Sequence, residues 1–102
     1  MSLSDATVSD TSELRPVIGL TRGLNTADIE ILTVNAIRLH RQLVEKADQL
    51  FQALPADHKT GQAIGGEQHL EYVEAMIAMH AQMNALNTLV RILGFIPNVS
   101  VN

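Results

Sequence analysis

Apolar residues in the C-terminal third of the chain predict a long helix with two apolar faces. From position 72 to position 93, large apolar residues recur at spacings of 4, 3, 4, 3, 4 and 3, which places them on one face of a helix. Four further apolar residues fall on roughly the opposite face: Leu70, Ile77, Ala81 and Ile92. A helix with apolar residues on both sides needs neighbours on both sides, so it must lie inside a bundle.

A second long helix precedes this one and is amphipathic in the ordinary way. Its apolar residues follow a single face and its charged residues the other, which predicts one buried side. Asn25 or Thr26 is expected to cap this helix, and Pro55 disfavours its continuation. The two predicted helices span residues 26 to 54 and 66 to 93, and the glycine-rich stretch between them is expected to turn the chain back.

The chain has 102 residues, which is enough for one domain. We predict a single helical hairpin over residues 13–102, preceded by a small, polar and acidic arm at residues 1–12 that is expected to be mobile. The flanks of the hairpin, 14–24 and 95–101, are more apolar than loops require. They are expected either to seal the ends of the bundle or to form part of a recognition surface. The first flank contains Pro16 and two glycines, and we expect it to lie extended against the bundle.

Two helices alone bury little apolar surface, so we expect their remaining apolar faces to be covered by a second copy of the chain or by another protein. Eight large apolar residues are predicted to lie in the core or in a dimer interface. They are Leu39, Leu43, Leu50, Met76, Met79, Met83, Leu86 and Val90.

Composition and charge favour association over chemistry on nucleic acid. The net charge is −4, with seven basic against eleven acidic residues, which argues against DNA or RNA as a direct ligand. The absence of cysteine excludes disulfides and thiolate metal sites. No signal peptide or membrane-spanning run is evident, and we therefore expect a cytoplasmic protein.

The four histidines do not form a recognisable catalytic or metal-binding pattern. His69 and His80 share a face, but eleven residues of helix separate them by roughly 16 Å. We therefore predict no metal site, no cofactor and no enzymatic activity. Phosphotransfer at His40 or His80 is a weaker alternative. The polar stripe on the second helix, which includes His80, Asn84 and Arg91, is either a contact surface or a polar layer that fixes the bundle register.

Long runs of the sequence resemble the TraM family of quorum-sensing antiactivators from conjugal plasmids of rhizobia and agrobacteria. The resemblance covers roughly residues 13 to 102 without a gap, and shared runs of this length are highly specific. Among them are Ile18-Gly19-Leu20-Thr21-Arg22-Gly23-Leu24, Leu43-Val44-Glu45-Lys46-Ala47-Asp48, Leu50-Phe51-Gln52-Ala53-Leu54-Pro55 and Ile92-Leu93-Gly94-Phe95-Ile96-Pro97. Members of the family have cysteine where this chain has Ile64, so any role of that thiol does not carry over.

The resemblance implies an all-α homodimer with two long antiparallel helices in each chain. It also implies binding to TraR, a LuxR-type transcription factor that requires an acyl-homoserine lactone. TraM-like proteins prevent such regulators from binding DNA and so repress conjugal transfer genes. The main alternative is a generic helical dimer that serves as an assembly or adaptor subunit.

Eleven residues are predicted to contact the partner, because periodicity predicts that they are exposed or because they lie in the apolar flanks and the shared runs. They are Arg15, Leu20, Arg22, Arg38, Arg41, Glu45, His80, Asn84, Arg91, Phe95 and Ile96.

Overall fold

The computed structural model describes residues 15–100, and within them all regular structure is helical. The arm predicted at residues 1–12 lies outside the described residues. Two long helices dominate the described part and confirm the predicted all-α fold. The helices are α1 at residues 15–21, α2 at Thr26–Gln52, α3 at Ala56–Lys59 and α4 at Glu67–Leu93.

Helix α2 begins at a side-chain cap. The Asn25 side-chain oxygen accepts a hydrogen bond of 2.8 Å from the backbone N–H of Asp28, which satisfies one of the free donors of the first turn. At the other end, the N–H of Leu54 donates to the carbonyl of Phe51 and the chain leaves the helix before Pro55. The helix therefore ends two residues earlier than the position 54 expected from the sequence.

Glycines bound helix α4 at both ends. Gly66, which precedes Glu67, and Gly94, which follows Leu93, both have φ of 94°. This region is costly for residues with a Cβ but open to glycine. The N–H of Gly94 donates to the carbonyl of Val90 over 2.8 Å and closes the last turn.

The first flank was predicted to be extended, and this prediction is wrong, because residues 15–21 are helical. Pro16 lies in the first described turn of α1, where proline is tolerated because it needs no acceptor for a backbone N–H. The hydroxyl of Thr21 donates to the carbonyl of Val17 over 2.9 Å. The helix does not seal the bundle along its whole length, since Leu20 is 82% exposed.

Two contacts between α2 and α4 establish that these helices are antiparallel. The side-chain amide of Gln82 donates to the carbonyl of Ala36 over 3.3 Å, and the rings of Phe51 and Tyr72 lie 5.6 Å apart between centroids. Residue numbers rise along α2 as they fall along α4. The residues buried along these two helices are mostly small, which permits close approach; they are Ile29, Thr33, Ala36 and Ala47 on α2, and Ala75, Thr88 and Leu89 on α4.

The molecule is flat and extended. Its Cα extents are 49 × 44 × 18 Å and its radius of gyration is 16.9 Å, whereas about 12–13 Å is typical of a compact domain of this size. Within the described residues, no helix has the length and apolar character needed to cross a membrane. The flat, extended shape leaves much of the apolar surface of both long helices exposed.

Candidate partner-binding surface

None of the residues predicted for the core or dimer interface is fully buried in the single chain. Leu39 is 42% exposed, and the other seven are half-buried: Leu43, Leu50, Met76, Met79, Met83, Leu86 and Val90. The buried residues of α2 and α4 are instead mostly alanine and threonine, together with Ile29 and Leu89. Large side chains that are half-covered in a single chain can bury the rest of their surface only against another molecule.

A groove of about 220 Å³ runs between α2 and α4 near the end where the loop joins them. Its apolar lining is formed by Leu43, Leu50, Ala75 and Ala78. Its polar residues carry opposite charges on the two helices, with Lys46 on α2 and Glu71 and Glu74 on α4. The groove therefore offers an apolar floor with a basic edge and an acidic edge.

A second apolar surface runs along α4 on the side that faces away from α2. We call it the outer strip and define it as Glu67, Leu70, Glu74, Ile77 and Ala81, which recur at spacings of 3, 4, 3 and 4. All five are exposed, and the two large apolar members, Leu70 and Ile77, are 57% and 63% exposed. The sequence placed three of these residues on the face opposite the main apolar stripe.

The predicted contact residues on the two long helices lie on opposite edges of the molecule. Arg38 and Glu45 are exposed on the side of α2 that faces away from its buried residues, and His80, Asn84 and Arg91 are exposed on α4. At 100° per residue, the α4 group lies beside the outer strip. The structure therefore does not bring the α2 and α4 groups into one site.

Arg41, another predicted contact residue, binds the C-terminal tail of its own chain. Its two terminal nitrogens donate to the carbonyls of Ser100 over 2.7 Å and of Val99 over 3.3 Å. Val99 is buried, whereas Phe95 and Ile96 are exposed. Arg41 thus fixes a tail segment in which Val99 is turned inward while Phe95 and Ile96 are presented to solvent.

The remaining predicted contacts lie on and just after α1. Arg15, Leu20 and Arg22 are all exposed. The eleven predicted residues are therefore distributed over α1, the outer side of α2, the outer side of α4 and the tail.

Two histidines hold the loop that joins the long helices, an arrangement that sequence reasoning missed. Nδ1 of His69 accepts a hydrogen bond from the backbone N–H of Gly65 over 2.7 Å, and Nε2 of His58 donates to the carbonyl of the same glycine over 2.8 Å. The two rings lie 5.7 Å apart in an edge-to-face arrangement. The only sequence signal was a histidine in the first turn of a helix that follows two glycines.

The other histidine candidates can be placed as well. Nδ1 of His40 is buried and has no hydrogen-bond partner among the described residues, whereas His80 is exposed. Between residues 15 and 100, no group of three histidine, aspartate or glutamate side chains is arranged to hold a metal ion.

Comparison with known proteins decides the family. The family model for the prokaryotic transcriptional repressor TraM matches residues 1–98. The chain belongs to the TraM family. This confirms the resemblance identified from the sequence, and with it the regulatory character of the protein.

Individual members of the family are similar over their whole length. The chain is 67% identical to the transcriptional repressor TraM of Rhizobium radiobacter over 102 residues, which cover 100% of both chains. It is 62% identical to the TraM of Agrobacterium fabrum, again over 100% of both. A crystal structure of a second quorum sensing antiactivator, TraM2 from A. tumefaciens, is 80% identical and has a TM-score of 0.84; the match covers 86% of this chain and 99% of that one.

Proposed function

We propose that this protein is a cytoplasmic antiactivator that binds the LuxR-type transcription factor TraR and keeps it from its DNA, so that conjugal transfer genes stay repressed. The observation that carries the proposal is membership of the TraM family over residues 1–98. A relative described as a quorum sensing antiactivator, with a TM-score of 0.84, supports the same role.

The physical character of the surface agrees with a protein that works by binding another protein. Twelve large apolar residues are exposed in the described part of the chain, and exposed apolar faces of helices bind partners by burying that area. The net charge of −4 is unsuited to DNA and compatible with a basic partner surface, although it gives only modest steering.

The proposal includes self-association as a homodimer. Seven of the large side chains predicted for the core or dimer interface are half-buried in one chain, and the groove between α2 and α4 has a basic edge and an acidic edge. A surface with both charges can pair with a copy of itself about a two-fold axis. Self-association would bury apolar surface that the two helices of one chain leave exposed.

A gel-shift titration tests the central claim. TraR saturated with its acyl-homoserine lactone is bound to operator DNA, and the purified protein is added in increasing amounts. We expect the shifted band to disappear and the two proteins to co-elute from a sizing column. The protein without TraR should leave the DNA unshifted, because otherwise competition for DNA would explain the loss. Persistence of the TraR–DNA band together with no co-elution would contradict the proposal.

A further inference from the structure

We infer that the outer strip of α4 is the docking surface for the regulator, and that it receives a basic, partly apolar helix of the regulator's DNA-binding region. The inference rests on the proposed function and adds the surface and the chemistry of the contact. The outer strip is distinct from the groove between α2 and α4, although Glu74 borders both.

The spacing of the outer strip suits the binding of a helix. Residues that recur at intervals of 3 and 4 form a straight seam along one side of a helix, which is the geometry by which helices pack side by side. From Glu67 to Ala81 the seam rises about 21 Å, or roughly four turns. Leu70 and Ile77 stand two turns apart on this seam, and both are more than half exposed. They are therefore placed as anchors for apolar residues on a partner helix.

The charge of the strip determines the kind of partner. Glu67 and Glu74 lie on the seam and Glu71 lies beside it, while the sequence between positions 60 and 90 contains no lysine or arginine. A protein surface that binds DNA is basic because it must neutralise phosphates. A basic DNA-binding surface therefore complements the acidic strip. A regulator whose DNA-binding surface is covered by the strip can no longer bind DNA.

The same charge disfavours a second copy as the occupant. Pairing two identical strips would bring glutamates of one chain close to glutamates of the other, and like charges across an interface are costly. The groove, which carries both signs of charge, suits self-association better. Apart from Glu74, which borders the groove, the strip is therefore left free for a different protein.

The opposite edge of the molecule provides a comparison. On α2, Ile31 is 58% exposed and lies in a shallow hollow with Glu30 and Arg38. Ile31 is exposed to nearly the same extent as Ile77, but the charged residues around Ile31 are of both signs. A basic partner would meet Arg38 there, so this edge is the weaker candidate.

The experiment compares serine substitutions on the two edges. Isothermal titration with the lactone-bound regulator is performed on Ile77→Ser, on Leu70→Ser and on the matched control Ile31→Ser. Circular dichroism and sedimentation are measured on each variant to confirm its fold and its oligomeric state. We expect Kd to rise at least about tenfold for each strip variant, as for an anchor residue of an interface. We expect less than a twofold change for Ile31→Ser.

A second arm tests the charge of the contact. Glu67→Gln is compared with Glu30→Gln, which removes an exposed carboxylate from α2. We expect the affinity of the unmodified protein to fall with added salt, and we expect this dependence to be weaker in the strip variant only. A dependence that is unchanged in the strip variant would count against a basic partner at this surface.

The remaining outcomes separate the two proposals. If the unmodified protein binds the regulator but the strip variants bind equally well, the docking surface is wrong and the proposed function stands. If Ile77→Ser dissociates the protein into folded monomers, the strip is a self-association surface and the inference is overturned. If the unmodified protein does not bind the regulator at all, the proposed function fails and the inference fails with it.

Discussion

At the residue scale, the most specific arrangement is the fixation of Gly65 by two imidazoles. His69 accepts from the N–H of this glycine and His58 donates to its carbonyl, so both polar groups of one peptide position are bound by side chains. Gly65 has φ of 90°, a conformation that its lack of a Cβ permits. The two histidines thus hold the glycine turn immediately before α4.

We predict that His69→Leu will weaken this turn. Loss of one hydrogen bond to a partly buried N–H should destabilise the protein by about 1 kcal/mol and speed hydrogen exchange at the Gly65 amide. The Gln62 amide, which donates to Asp57, serves as the internal control. His69→Gln retains a side-chain acceptor and should restore part of the protection. Equal exchange at Gly65 in all variants would show that the bond does not hold the turn.

Sequence reasoning succeeded at this scale where the interaction is local. Asn25 or Thr26 was predicted as the cap, and Asn25 is the one observed; a cap can be predicted because it joins residues three apart on a helix that periodicity already defines. The contact of His69 with Gly65 is just as short in sequence, yet it depends on a loop in which Gly61, Gly65 and Gly66 all take positive φ. That loop conformation is one of several open to glycine, so the pattern did not specify it.

At the element scale, the tail after α4 depends on one side chain of α2. Arg41 donates to the carbonyls of Val99 and Ser100, and the buried side chain of Val99 is the apolar part of the same contact. The tail therefore returns from the end of α4 along α2. Arg41 is more than a solvated charge, which is how its position on the polar face would ordinarily be interpreted.

We predict that Arg41→Ala will release the tail while leaving the long helices folded. Backbone relaxation at residues 95–100 should show increased fast motion, and helix content should be unchanged. The loss of two hydrogen bonds from a charged donor should cost roughly 1–2 kcal/mol in stability, since the site is solvent-exposed. Arg38→Ala, which removes an exposed arginine from the same helix, is the matched control. An ordered tail in the Arg41 variant would mean that Val99 alone is sufficient to hold it.

The long helices could be predicted from the sequence because periodicity and end signals agree over many residues. Their observed ends differ from the expected ones by at most two positions. The short helices could not be predicted in the same way. Helix α1 contains Pro16 and Gly19, and α3 has four residues. Their conformations depend on single turns and not on a repeating face.

At the scale of the whole molecule, two of the uncovered apolar surfaces, the groove and the outer strip, differ in charge. The groove has Lys46 on one side and Glu71 on the other, whereas the outer strip has only carboxylates among its charged groups. The need for cover was evident from the sequence, because α4 has apolar residues on two faces. The sequence did not show which face would bind which partner, because this depends on how α2 and α4 pack and on which charges border each surface.

The groove leads to a prediction about the proposed homodimer. Suppose that two hairpins stack through this face about a two-fold axis parallel to the long helices. Each α2 would then lie opposite the α4 of the other copy, and residues at the same position along the helix axis would face each other. Lys46 and Glu71 lie at similar heights, since both line the groove, so each lysine would face a glutamate of the other copy. Two such pairs, each worth about 0.2–1 kcal/mol, would fix the register while the leucines supply the buried area.

Single charge reversals should therefore weaken self-association, and mixing them should restore it. Lys46→Glu and Glu71→Lys each place two like-charged pairs across the interface, and each should raise the dissociation constant of the dimer by about tenfold. In a mixture of the two variants, the heterodimer has both pairs with opposite charges, so sedimentation should show it forming at lower concentration than either homodimer. A pair formed only within one chain cannot produce this rescue. If the mixture dissociates like the separate variants, the groove does not join the two copies in this way.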